Sequence, residues 1–260
     1  MDDLWESGEP YEYFMGRWSE PVAQLFLKWL PGSEQATWLD IGCGTGALSY
    51  AIQQTQNPST QTAIDQSAGF VELAQRRLGN KVQCETGNAM SLPFPDATFD
   101  NVVSGLVLNF LPEPETALRE MARVTRVGGT VAIYIWDYAG EMEFLSYFWD
   151  SVVELNPGAA DLHEGTRFKS FHAEHVSQLF AIAGLQDISA EQLQIETRFK
   201  NFDDYWQPFL GGQGPAPTYV QSLKEAERHQ LRNLIQDRLP TEKDGSIELT
   251  ARAWAVKGVV

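Results

Sequence analysis

The chain has 260 residues, 43% of them hydrophobic and 21% charged, with a formal net charge of -16 at pH 7. That length and balance suit a soluble globular protein with a substantial core, and the acidity disfavours phosphate backbones and anionic lipid surfaces as partners. Two cysteines, Cys43 and Cys84, give neither a disulfide framework nor a metal-ligand spacing, so no metal is expected. The acidic N-terminus lacks the apolar run of a secretory signal, and no stretch of about 18 apolar residues predicts a membrane span. A cytoplasmic protein is the expectation.

Val22, Leu25, Phe26, Trp29 and Leu30 recur at helical spacing and stop at Pro31-Gly32. Residues 36–41 read as a short buried strand, and Gly42-Cys43-Gly44-Thr45-Gly46 then turns the chain into a helix beginning at Ala47. A second strand over 61–64 ends at Asp65, after which Ser67 can cap a helix closed by Gly79. A third strand over about 81–85 precedes the loop Leu92-Pro93-Phe94-Pro95-Asp96, and a fourth covers 99–104. A helix over about 115–124 follows, then Gly128-Gly129 is expected to turn the chain into a fifth strand over 130–136.

Strand and helix alternate throughout this stretch, which predicts a doubly wound α/β fold with right-handed crossovers. Beyond Asp137 the rhythm changes to an aromatic-rich segment through Phe171, a helix over 173–183 and a sixth strand over 185–199. An insertion with a Gly/Pro-rich centre runs to Gly245, and Ile247 to Lys257 alternates as a last strand. The expected organisation is one domain over 1–260. Its core is about 31–137, 172–200 and 246–260, with a helical, aromatic cap from 1–30, 138–171 and 200–245.

The glycines of the first strand–helix turn let backbone pass close under a ligand at the carboxyl edge of the sheet. Gly42, Gly44 and Ala47 also fit a dinucleotide pattern, and Asp65 is placed to accept ribose hydroxyls of either kind of nucleotide.

Further motifs divide these readings. Leu39-Asp40-Ile41-Gly42-Cys43-Gly44-Thr45-Gly46, then Asp65, then Gly87-Asn88-Ala89 with Leu92-Pro93-Phe94, then Arg123-Val124-Thr125-Arg126-Val127-Gly128-Gly129 occur in order. In these residues the chain resembles the class I S-adenosylmethionine (SAM)-dependent methyltransferases, and within them the branch that includes the ubiquinone and menaquinone biosynthesis enzymes. The resemblance covers roughly residues 36 to 137 and the closing strand pair. It implies a Rossmann-like, seven-stranded, mostly parallel sheet with one antiparallel strand, and SAM as cofactor. It also implies that Gly42, Cys43 and Gly44 pass beneath the methionine part, with Asp40 orienting the ammonium. Asp65 holds the ribose, Gln66 lies beside the adenine, and Asn88 and Ala89 meet the adenine ring. Leu106 and Asn109 flank the reactive end. Asn88 stands where the family usually has Asp, but its carbonyl still accepts the adenine amino hydrogen bond. Val127 stands where the family usually has Pro.

The N-terminal run from Tyr11 to Ser19 suggests a lid, with Arg17 pairing with the SAM carboxylate and Tyr13 covering the sulfonium. Asp137 and His172 are the candidate bases, beside His163 and His175. The aromatic segments point to a small, apolar or aromatic acceptor whose methylated atom the sequence does not specify. Two alternatives are a non-catalytic SAM-binding regulator and an NAD-dependent oxidoreductase. Neither the oligomeric state nor the acceptor's identity is readable from the residues.

Overall fold

A computed structural model describes residues 12–32, 34–211 and 214–260, with side chains from Phe14 onward. A π-helical turn over Glu12–Gly16 leads into α1 (Arg17–Trp29). Then come β1 (Thr37–Ile41), α2 (Ala47–Thr55), β2 (Thr60–Asp65), α3 (Ala68–Leu78), β3 (Gln83–Thr86), β4 (Phe99–Gly105) and α4 (Pro114–Val124). The chain continues through β5 (Thr125–Trp136), α5 (Glu143–Leu155), α6 (Glu164–Arg167), α7 (Ala173–Ile182) and β6 (Gln186–Phe199). It closes with α8 (Phe202–Trp206), α9 (Pro215–Ser222), α10 (Glu225–Arg238) and β7 (Ile247–Val259).

The seven strands form one sheet in the order β3-β2-β1-β4-β5-β7-β6. The pairings from β3 through β5 are all parallel. At the β5–β7 border Gly128 N donates to Val260 O and Asp137 N to Arg252 O, a rising against a falling register. β7 therefore opposes β5, so the sheet is mixed at this end.

The chain divides into two compact units. One comprises Ser19–Ile135, Ser170–Leu193 and Ala253–Val260 and carries the parallel strands. Its central strands β1, β4 and the second half of β5 are buried almost throughout, as strands covered on both faces require. Leu39, Ile41, Val102, Val131 and Ile133 pack there with Leu118 and Met121 of α4 and Phe180 of α7. Ser67 caps α3 as its sequence position suggests, accepting from Phe70 N.

The other unit comprises the described residues through Trp18 with Trp136–Lys169 and Gln194–Arg252. It holds most of the expected cap residues, and its core is aromatic. Phe148 stacks on Phe209 at 4.5 Å, Phe144 lies 4.9 Å from Phe209 and 5.4 Å from Phe199, and Phe14 lies 5.5 Å from Phe144. Such ring pairs add to the area they bury.

One expectation shifts. The fifth strand begins at Thr125, and the glycine pair lies inside it, not ahead of it. Pairing with β4 jumps from Phe99–Thr125 to Asn101–Thr130, a bulge that Gly128 permits with φ at 79°.

Candidate functional site

The loop after β1 is anchored by its own backbone. Gly42 N and Cys43 N both donate to Ile64 O, at 2.8 and 2.9 Å, and Gly46 N closes a turn onto Cys43 O at 2.8 Å. Gly42, Gly44 and Gly46 all take positive φ, which favours residues lacking a Cβ. Their surroundings differ. A Cβ on Gly42 would meet Val107, one on Gly46 would meet Leu78, and one on Gly44 would meet nothing within 4 Å. Gly44 is thus the point where the loop opens.

Two carboxylates support it. Asp40, on β1, is 1% exposed. Ser49 Oγ of α2 donates to its Oδ2 at 2.7 Å, while Oδ1 is buried with no partner. Burial pushes the carboxyl up to about 7, opposed by the Ser49 hydrogen bond and assisted by the nearby charge of Asp65. Asp65, at the end of β2, accepts from Gly44 N and Ser67 N, each at 2.9 Å. Burial raises its pKa as well, against the pull of those backbone donors. Asp65 therefore braces the open glycine with one oxygen and the start of the next helix with the other.

The neighbouring loops supply the rest. Gly87 N donates to Asp65 O, which sets the turn after β3 against the end of β2. Gln66 and Asn88 are exposed, Ala89 is half-buried, and Asn88 Oδ1 accepts from Met90 N at 2.9 Å. After β4, Leu106 adopts φ of 64°, a strained conformation for a leucine, with its N–H held by Tyr134 O. Asn109 is 6% exposed, and both atoms of its carboxamide are buried without a partner. Burial pushes the Cys43 thiol up, which favours its protonated form.

Asp40, Gly42, Cys43, Gly44, Asp65, Gln66, Asn88, Ala89, Leu106 and Asn109 all belong to the unit of parallel strands. Ser49 and Val107 escaped the sequence reading. The available signal was a polar residue on the otherwise apolar face of α2 and a branched residue just past β4.

The other candidates sit differently. Arg17 forks onto Asp204, 3.0 Å to Oδ1 and 3.3 Å to Oδ2, so the geometry expected to meet a ligand carboxylate is filled by a protein one. The side chain of Tyr13 lies outside the described residues. Asp137 is committed too, its Oδ2 accepting from Arg252 Nε at 2.8 Å and Nη2 at 2.5 Å, and its Oδ1 from Gly140 N. Both carboxylate oxygens are engaged, which suits a brace better than a base. His172 caps α7 through its ring, accepting from His175 N, and is exposed. Among the described residues no group of three or more His, Cys, Asp or Glu could hold a metal, and no helix is long and apolar enough to cross a membrane.

Comparison with known proteins decides between the nucleotide readings. Residues 39–133 match the methyltransferase domain family model. A demethylmenaquinone methyltransferase of Desulfitobacterium hafniense is 37% identical over 187 residues, 69% of this chain and 74% of that protein. The chain belongs to the class I SAM-dependent methyltransferases. Another such relative, the demethylmenaquinone methyltransferase of Bacillus licheniformis, is 36% identical over 118 residues, and the match spans only 49% of its length. The phosphoethanolamine N-methyltransferase 2 of Haemonchus contortus, solved with S-adenosyl-L-methionine, has a TM-score of 0.57 at 16% identity, covering 96% of this chain and 56% of that one. That likeness concerns the fold. The methyltransferase motif run thus coincides with the loop, the two carboxylates and the strained turn described above.

Proposed function

We propose that this chain transfers a methyl group from SAM to a small, apolar or aromatic acceptor of the quinol class. The observation that carries the reading is Asp40. Its buried, unpartnered Oδ1, close enough to feel the charge of Asp65, is suited to a cationic group, and the methionine ammonium of SAM is one. The donor set fits the rest of the cofactor: Asp65 for the ribose hydroxyls, Gln66, Asn88 and Ala89 for the adenine, and Gly42, Cys43 and Gly44 beneath the methionine part. When bound, SAM supplies an electrophilic methyl on a sulfonium. The protein's part is orientation, and well-oriented reactants can lower a barrier by roughly 7–11 kcal/mol. Leu106 and Asn109 close the site at the reacting end. The quinol class is supported by the named activities of the relatives and by the ring-rich unit, to which acceptor recognition is assigned. In this reading β7 is the one reversed strand of the sheet.

A thermal-shift titration with SAM, S-adenosylhomocysteine and NADH tests the proposal. Both SAM-type ligands should stabilise the protein, by about 2.7 kcal/mol at about 100 times the dissociation constant, and Asp65→Ala should abolish the shift. Stabilisation by NADH alone, or by none of the three, overturns it.

A further inference from the structure

The rings of the aromatic unit pack on one another, and the unit's buried polar groups mostly find partners. Tyr205 donates its hydroxyl to Phe144 O at 2.8 Å, and Trp149 Nε1 donates to Glu164 Oε2 at 2.7 Å. Three side-chain atoms among the unit's described residues do not: Arg228 Nε, Trp18 Nε1 and Thr197 Oγ1, the last two on residues 7% and 0% exposed. Far apart in sequence, Trp18 and Thr197 are both tied to Phe199, one by ring contact and the other along the strand. Trp18 meets Phe199 edge-on at 5.4 Å. Thr197 precedes Phe199 by two residues on β6, and the alternating burial of that strand puts both on its inner face. A cation completes the arrangement. The Arg17 guanidinium lies 4.5 Å from the Trp18 ring centroid and 5.1 Å from that of Phe199. Its fork to Asp204 fixes it there.

A buried donor left unpaired is costly, and native proteins keep few of them without a use. An indole N–H only donates, and a threonine hydroxyl can donate, so the two suit a single oxygen with two lone pairs. The Arg17 charge favours an oxygen bearing negative character. The surrounding Phe14, Phe144, Phe199 and Phe209 suit a flat apolar ring. We propose that Trp18 Nε1 and Thr197 Oγ1 form an oxygen-binding subsite for the acceptor, taking the carbonyl or phenolate oxygen of a planar aromatic molecule. This rests on the methyltransferase reading for the word acceptor, but the subsite itself binds its ligand without SAM.

The probe is 2-naphthol, compared with naphthalene by titration calorimetry on the full chain without cofactor. The native protein should bind 2-naphthol about tenfold more tightly than naphthalene. Thr197→Val, which removes the hydroxyl at constant shape, and Trp18→Phe, which removes the indole N–H, should each erase most of that preference. Thr197→Ser should restore it. A merely structural role for either side chain would weaken both probes alike and leave their ratio unchanged. Native protein that does not prefer 2-naphthol, or folded Thr197→Val and Trp18→Phe variants that keep the native ratio, overturns the subsite. SAM titrated into the same samples separates the two readings. Intact SAM binding with an unchanged probe ratio sinks only the subsite, and absent SAM binding with an altered ratio sinks only the methyltransferase reading.

Discussion

Val107 occupies the space that a side chain on Gly42 would need: a Cβ there would come within 2.5 Å of Val107 Cγ2. The loop after β1 and the turn after β4 are therefore fitted to each other, and the positive φ of Leu106 holds Val107 in place.

The two loop glycines should consequently fail in different ways when replaced. Gly44→Ala meets no neighbour and carries only the left-handed strain of φ 53°, about 1–2 kcal/mol. It should fold, lose a few degrees of melting temperature, and lose SAM binding because the methyl group projects into the open side of the loop. Gly42→Ala adds the collision to a similar strain and should lose both stability and binding. Val107→Ala should recover part of the stability of Gly42→Ala, and a double-mutant cycle by thermal denaturation reads the coupling. Strict additivity would contradict the fitted-loop account.

The pH dependence follows from Asp40. Its carboxyl is raised from 3.8 to about 7 in the fold, mainly by burial. A group raised on folding contributes stability that is complete below its unfolded pKa and is lost as pH climbs through the folded value. The unliganded protein should therefore lose stability from about pH 4 to about pH 7 through this group and none from it beyond. Asp40→Asn should flatten that part of the curve. SAM affinity should run the opposite way, rising through about pH 7, because the ionised carboxylate is the partner of an ammonium. Calorimetric titrations at pH 5.5, 7 and 8.5 measure this, and an affinity that falls with pH would remove Asp40 from the cofactor site.

What could be read in the residues was local. The Gly42–Gly46 loop, Asp65 at a strand end and the Ser67 cap are set by spacings of a few residues. Each uses a residue type that the local backbone demands: glycine at positive φ, and a hydroxyl at a helix start. The pairings that reassigned Arg17 and Asp137 are long-range, spanning 187 residues to Asp204 and 115 to Arg252. No periodicity encodes such partners, because each is a surface-compatible charge until the fold brings its counterpart. The bulge at Gly128-Gly129 was hidden for a similar reason. A glycine pair reads as a turn unless the neighbouring segments, here β4 and Val260 just beyond β7, are known to flank it.

The Asp137–Arg252 pair is a stability element in this account. The side chains are 7% and 16% exposed, and Arg252 also reaches Glu141 Oε1 at 2.9 Å. Removing one member strands the other, which typically costs 3–5 kcal/mol for a buried pair; about 3 kcal/mol is expected for Arg252→Ala. Asp137→Asn should lower activity only as far as it lowers the folded fraction. The pH profile of kcat, measured below the melting transition, should keep its shape. A folded Asp137→Asn protein with a collapsed kcat would reinstate Asp137 as a base.

Asn109 gives the opposite signature. Its carboxamide is buried, and neither the oxygen nor the nitrogen has a partner, so the free protein gains nothing from its polarity. Replacing such a group with an apolar one of similar shape is close to neutral or stabilising. Asn109→Leu should therefore leave the melting temperature unchanged or raise it by a few degrees, equivalent to about 1 kcal/mol. Turnover should fall by about 100-fold or more, since the side chain lies two residues past the Val107 that seats the glycine loop and has hydrogen-bonding capacity only a ligand can use. Stability and activity then move in opposite directions, the mark of a residue kept for binding at the expense of the fold. An Asn109→Leu enzyme that melts several degrees lower with proportionate activity would show instead that the carboxamide is satisfied inside the protein.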